Sequence, residues 1–197
     1  DTLRKIENII PQYFFPTNRI DQDIDLWYER DYRQLGIYSI DNFFTKRNLI
    51  ILSNILEKIF TLPKSRERSY IEFIFTSIIE GSSRLNRERP KGRTGKLSGT
   101  LYVGGLNREI NPFDFALRKV EHCSNLFKRQ SESLISTQSF PDLSSLPDRS
   151  INYIFIDPPF GSNIIYSDLS MLWESWLKLL TNTDKETVVH RRKKNRP

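Results

Sequence analysis

Ile151 to Ile156, read INYIFI, run apolar and β-branched or aromatic almost throughout, straight into Asp157, Pro158 and Pro159. No other stretch narrows the fold as much. A short apolar run bounded by chain breakers predicts a strand with both faces buried, and such strands belong to largely parallel sheets covered by helices. Proline has no N–H to give a sheet ladder, so the strand ends at Asp157. In open α/β sheets that carboxyl edge is where ligands bind.

The rest of the chain supplies helices for such a sheet. Residues 1 to 42 carry aromatics and charges without sustained periodicity and predict irregular structure with short helical pieces. From Thr45, a capping residue, Leu49, Leu52, Ile55, Leu56 and Ile59 recur at helical spacing until Pro63 stops them. Ile71, Ile74, Phe75 and Ile78 mark a second amphipathic helix, from about Ser65 to Glu80, ending at Gly81. The two predict a helical hairpin. Residues 82 to 99, SSRLNRERPKGRTGKLSG, are polar and rich in breakers and predict an exposed loop. TLYVGGL and LISTQSF are further candidate strands, Asn111-Pro112 opens a helix reaching about Lys128, and LSMLWESWLKLL follows as another. The boundary falls at residue 99. Residues 1–99 hold the irregular region, the helical hairpin and the basic loop, and residues 100–197 hold the αβ core.

Charge and cysteine content bound the partners. Net charge is +6 and the pI about 9.4, which favours a polyanion. Between Arg84 and Lys96 stand six Lys or Arg against one Glu: Arg84, Arg87, Arg89, Lys91, Arg93 and Lys96. These are the candidate nucleic-acid contacts, together with Tyr166 further along the chain. Cys123 is the single cysteine and His122 and His190 the only histidines, so neither a disulfide nor a structural zinc set is expected. A reducing cytoplasm suits this composition. No stretch approaches the roughly 20 apolar residues that span a bilayer, and no membrane partner is expected. The chain starts at Asp1 rather than Met, which suggests a piece of a longer protein.

Asp157, Pro158, Pro159 and Phe160 are the candidate catalytic residues. Two prolines fix φ and leave their carbonyls free to face a ligand. A carboxylate acceptor, rigid carbonyls and an aromatic face together suit a planar ring bearing an amino group. An Asp before two prolines is also an ordinary strand-ending turn.

In this context, DPPFGSNIIYSDLSMLWESWL closely resembles the catalytic motif of S-adenosylmethionine-dependent DNA amino-methyltransferases: Asp, Asn or Ser, two prolines, then Tyr, Phe or Trp. The continuation YSDLSxLWExWL is similar to an adenine-specific group of these enzymes. PTNR ending at Arg19, DNFFTKRNLIILS from Asp41, GTLYVGGL, NPFDFALRKV and DLSSLPDRSINYIFIDPPF follow in that group's order. The resemblance implies an α/β fold, a partial Rossmann-like methyltransferase sheet with helical insertions. Asp157 and the Pro158 carbonyl would accept the two amino hydrogens and localise the nitrogen lone pair, while Phe160 stacks on the flipped base. Phe160 stands where the family more often has Tyr. Asp142 falls where related enzymes contact the cofactor's adenosine. Thr45 and Asn48 lie in NFFTKRN, similar to the element that approaches its methionine end, although Lys46 replaces that element's Pro.

One family feature is missing from these 197 residues: the glycine loop DPFxGxGT that grips S-adenosylmethionine. The resemblance therefore implies a fragment or one piece of a split enzyme, inactive alone and completed by a polypeptide carrying that loop, with adenine favoured over cytosine as target. Alternatives stay open: a non-catalytic DNA-binding remnant, or a methyltransferase of RNA bases or of a protein glutamine. Trp173 and Trp176, three apart, read as core packing rather than base stacking. Tyr166 and Asp168 read equally as pocket mouth or helix cap.

Overall fold

A computed structural model describes residues 2–21, 24–89, 93–97, 99–124, 143–157 and 165–183. The order is α1 (Thr2–Glu7), α2 (Asp25–Glu29), a 3-10 turn (Ile40–Phe43), α3 (Lys46–Thr61), α4 (Arg66–Ile79), β1 (Arg87–Arg89), β2 (Arg93–Gly95), α5 (Pro112–Cys123) and α6 (Tyr166–Trp176).

The helices start where side chains can satisfy free N–H groups. Thr45 accepts from the Asn48 N–H at 3.3 Å, Ser65 from Arg68 at 3.2 Å and Asn111 from Phe113 at 3.0 Å. Pro112 at the first position of α5 loses no bond by lacking an N–H. Helix α4 contacts α3, α5 and α6 and so stands at the centre. Gly81, in the 3-10 turn Glu80–Ser82 that follows α4, lets α5 come close: a Cβ there would overlap the Phe115 ring.

Helix α6 stops before the LKLL that sequence periodicity would include. Leu179 N–H bonds the Glu174 carbonyl at 2.9 Å and Lys178 N–H the Ser175 carbonyl at 3.3 Å, the paired bonds of a left-handed helix stop. Lys178 takes the positive φ of 58° usually left to glycine, and its ammonium lies 4.3 Å from the centre of the Phe14 ring. The arrangement ties the end of α6 to the N-terminal region.

The irregular first 44 residues are core rather than appendage. Ile20, Tyr32, Ile37, Ile40 and Phe43 are buried, joined in one cluster by Leu52, Leu56, Phe75 and Ile78 of the helical hairpin. Leu101, Val103, Leu172 and Trp176 belong to the same cluster, so the core draws on both sides of residue 99. Burial holds the Tyr32 hydroxyl well above the ordinary phenol value of 10, and it donates to the Leu101 carbonyl. The folded state favours the protonated phenol, so this contribution is complete below about pH 10 and is lost as pH rises above it. Tyr32→Phe should cost about 1 to 3 kcal/mol by leaving a buried carbonyl unpaired. Urea melts at pH 8 and pH 11 should show the variant and parent converging at the higher pH.

Three local expectations change. The start of the 82–99 loop is buried: Ser82, Ser83, Leu85 and Asn86 are all covered, because Leu85 joins the core and Asn86 donates to the Arg108 carbonyl at 2.7 Å. Its continuation is an antiparallel ribbon, β1 with β2, the one sheet among the described residues. TLYVGGL alternates buried Leu101 and Val103 around exposed Tyr102 but forms no strand, meeting β1 through its last residue, where the Leu106 carbonyl accepts from the Glu88 N–H at 2.9 Å. INYIFI is neither a strand nor buried among the described residues: Tyr153 is 81% and Phe155 82% exposed. A strand apolar on both faces needs neighbouring strands for its backbone and covering helices for its faces, and its exposure shows that neither covers it among the described residues. LISTQSF lies outside the described residues. No helix among them is long and apolar enough to cross a membrane.

Candidate functional site

The candidate site begins at Asp157, exposed at the end of the apolar run. Pro158, Pro159, Phe160 and Asp142 lie outside the described residues. The chain is next described at Ile165, and Tyr166, the first residue of α6, is exposed. Exposed groups therefore stand on both sides, Asp157 as the first residue of the motif and Tyr166 after it.

Asp168, two residues on, is different. It is 3% exposed, and its Oδ2 accepts from the backbone N–H groups of Asp25 at 3.0 Å and Leu26 at 3.4 Å. It thus caps a helix, but α2 rather than its own α6. The carboxylate pins the N-terminal region to the element that follows the motif. Sequence reasoning offered a cap as one option and could not see the partner, which lies 143 residues away. Trp173 donates to the Thr76 carbonyl at 3.1 Å, and Trp176 is buried against Phe44 and Phe75. Both tryptophans face the helical hairpin, as their spacing implies.

The two weaker cofactor candidates are engaged internally. Thr45 caps α3 and bonds to Glu109, which also pairs with Arg47 at 2.5 Å. Asn48 is 1% exposed, and its amide nitrogen donates to the carbonyls of Ser82 at 2.8 Å and Ile110 at 3.0 Å. These bonds lock α3 to the segments entering the ribbon and α5. Its Oδ1 is buried without a partner, so it is the one polar atom of Asn48 left to accept a bond.

The basic residues divide by their bonds. Arg84 directs its guanidinium at the Leu35 and Asn42 carbonyls, at 3.4 and 3.1 Å, and its N–H at the Phe43 carbonyl at 2.7 Å. It acts as an internal staple. Lys96 pairs with Glu80, and Arg87 lies over the Tyr102 ring at 6.0 Å. Arg89 is exposed and donates to the Lys96 carbonyl at 3.2 Å. Lys91 lies outside the described residues.

An open apolar groove of about 700 Å³ runs between α3 and α5, lined by Ile55, Ile59, Leu62, Phe113, Leu117 and Val120 among others. Among the described residues its polar lining consists of Asn54 and Lys58. The i, i+4, i+7 spacing of Phe113, Leu117 and Val120 signals this face in the sequence. No protein-family model matches the chain, and neither a curated protein nor a solved structure matches it.

Proposed function

We propose that the chain is the base-binding portion of a DNA amino-methyltransferase, with an α/β fold built on a partial Rossmann-like sheet. S-adenosylmethionine would be the methyl donor and the exocyclic amine of adenine the acceptor, with cytosine the less favoured base. The observation that carries the reading is the join of an apolar run to Asp157-Pro158-Pro159-Phe160. Two features of the structure support it. Asp157 is exposed, as a residue that meets a ligand must be. The run before it is exposed throughout, as suits a strand whose neighbours come from a complementary polypeptide.

Asp157 and the Pro158 carbonyl would hold the amino hydrogens, raising lone-pair density on a nitrogen whose electrons are otherwise delocalised in the ring. Phe160 would stack on the extruded base, contributing about 1 to 3 kcal/mol toward the few kcal/mol that extrusion costs. This chain's residues orient the acceptor, and the cofactor supplies the methyl group when bound. Its grip would belong to a DPFxGxGT loop outside these 197 residues, in the remainder of a longer chain or in a complementary polypeptide. The natural setting is a cytoplasm containing DNA.

Calorimetric titration tests the division of labour. The chain alone should bind S-adenosylmethionine weakly or not at all, and addition of a polypeptide bearing DPFxGxGT should restore stoichiometric binding and methyl transfer to a duplex. Tight binding by the chain alone would overturn the split. A second reading, a non-catalytic DNA-binding protein, is favoured by the basic ribbon together with the missing loop. It predicts duplex binding with no transfer under any complementation.

A further inference from the structure

We propose that the cleft between the end of α2 and Tyr102 takes one unstacked nucleotide, its base against the Tyr102 ring and its phosphate on Arg30. The inference rests on reading the chain as DNA-directed and concerns a site that shares no residue with the Asp157 motif. The cleft holds about 350 Å³ and is lined by residues 29–32, 34 and 35 together with Tyr102 and Val103. That volume sits at the small end of ligand pockets, about 300 to 1,000 Å³, which suits a single nucleotide and is too little for a paired helix.

The lining supplies three kinds of contact in one place. Arg30 makes no ion pair or side-chain hydrogen bond among the described residues, and its Nε is buried without a partner. A guanidinium that spends no donor on the protein keeps its fork for an oxyanion. Glu29, Asp31 and Gln34 bring acceptors to the same cleft. Carboxylates repel a second phosphate but accept from the exocyclic amine of a base. Tyr102, 38% exposed, is the aromatic wall. A flat ring with an anion at one end and an amine at the other matches this set.

The walls are held before any ligand arrives. Fully buried Tyr32 donates its hydroxyl to the carbonyl of Leu101, the residue before Tyr102. The Leu35 carbonyl accepts from the Arg84 guanidinium at 3.4 Å. The Arg87 guanidinium lies over the Tyr102 ring at 6.0 Å, and Gly104 leaves room for its stem, since a Cβ there would come within 3.2 Å of the Arg87 Cβ. A preformed cleft spends little of its binding energy on ordering.

The test is fluorescence anisotropy of labelled oligo-dC and oligo-dT, about 12 nucleotides each, with the full chain at pH 8 across a salt series. The two bases differ in an amine on cytosine against a carbonyl on thymine, so oligo-dC should bind more tightly and Asp31→Ala should narrow the difference. Tyr102→Ala should weaken oligo-dC binding about fivefold to 150-fold, the stacking of one base, while Tyr102→Phe keeps most of it. Tyr102 is at the surface, so a melting temperature near the parent's should accompany that loss. Arg30→Ala should flatten the slope of log K against log salt by about 0.7, the value for one phosphate of a single strand. Titration with dCMP separates the sources: affinity equal to that of oligo-dC assigns the cleft to a free nucleotide, much weaker affinity assigns it to a strand, and both keep the site. No binding of either oligonucleotide at low salt, equal affinity for the two, parent affinity in Tyr102→Ala or an unchanged slope in Arg30→Ala would overturn it. Failure of the site and failure of the enzyme reading are separable. Tyr102-dependent binding without methyl transfer after complementation would remove the enzyme and keep the site, and transfer with parent affinity in Tyr102→Ala would do the reverse.

Discussion

Asp157→Ala, in the chain completed by its cofactor-binding partner, should slow methyl transfer about a hundredfold to a thousandfold, the usual cost of removing a preorganised electrostatic group. Duplex affinity should change little. The asymmetry follows from the charge that develops on the nitrogen. In the bound state the amine bonds Asp157 only modestly, whereas during attack on the sulfonium methyl it becomes cationic and its hydrogens become strong donors. An interaction that strengthens along the reaction lowers the barrier and leaves ground-state binding almost untouched. Phe160→Ala should behave differently, since stacking holds the base before and during transfer, and affinity and rate should fall together. Phe160→Tyr should keep most activity. Single-turnover methylation with parallel equilibrium binding makes the distinction. If Asp157→Ala transfers methyl at near the parent rate, these four residues are a turn and nothing more.

What the sequence reveals of the fold depends on the range of the interactions. Helices α3 and α5 are legible because their signals are local: Thr45 and Asn111 lie within a few residues of the N–H groups they satisfy, and the apolar spacing is written on one helix. The N-terminal region is not. Ile20, Ile24, Tyr32, Ile37 and Ile40 have no common period, yet each is buried by partners far along the chain. The segment SSRLN reads as polar loop because burial of Arg84 and Asn86 depends on the carbonyls of Leu35, Asn42 and Arg108. For the candidate site, the residue types at Asp157 and Tyr166 were legible, but the role of Asp168 was not, since a cap across 143 residues leaves no local trace. INYIFI marks the limit from the other direction. Its composition asks for a sheet, and composition cannot supply the neighbouring strands.

Trp176→Ala should be the most damaging substitution outside the motif, costing about 3 to 5 kcal/mol of stability. Trp176 is fully buried, with its ring edge-on to Phe44 at 5.4 Å and Phe75 at 5.8 Å between centres. It thereby joins α6 to the helical hairpin and to the segment before α3. Truncation removes the largest fully buried side chain of the core and leaves a cavity between two aromatic rings, which the surrounding helices can fill only in part. Against a typical total of about 5 to 15 kcal/mol, that loss brings the chain close to unfolding. Trp176→Phe should cost less, because the ring contacts largely survive and the buried indole N–H, which has no partner, is removed. Trp173→Phe breaks a hydrogen bond to Thr76 and should cost about 1 kcal/mol. Urea denaturation gives the three values, and duplex binding measured well below each midpoint separates packing from contact. A core role requires Trp176→Ala to bind duplex normally once folded, with any loss of methyl transfer tracking the loosened start of α6 at Tyr166. A stable Trp176→Ala protein that no longer bound DNA would place the ring against a base instead.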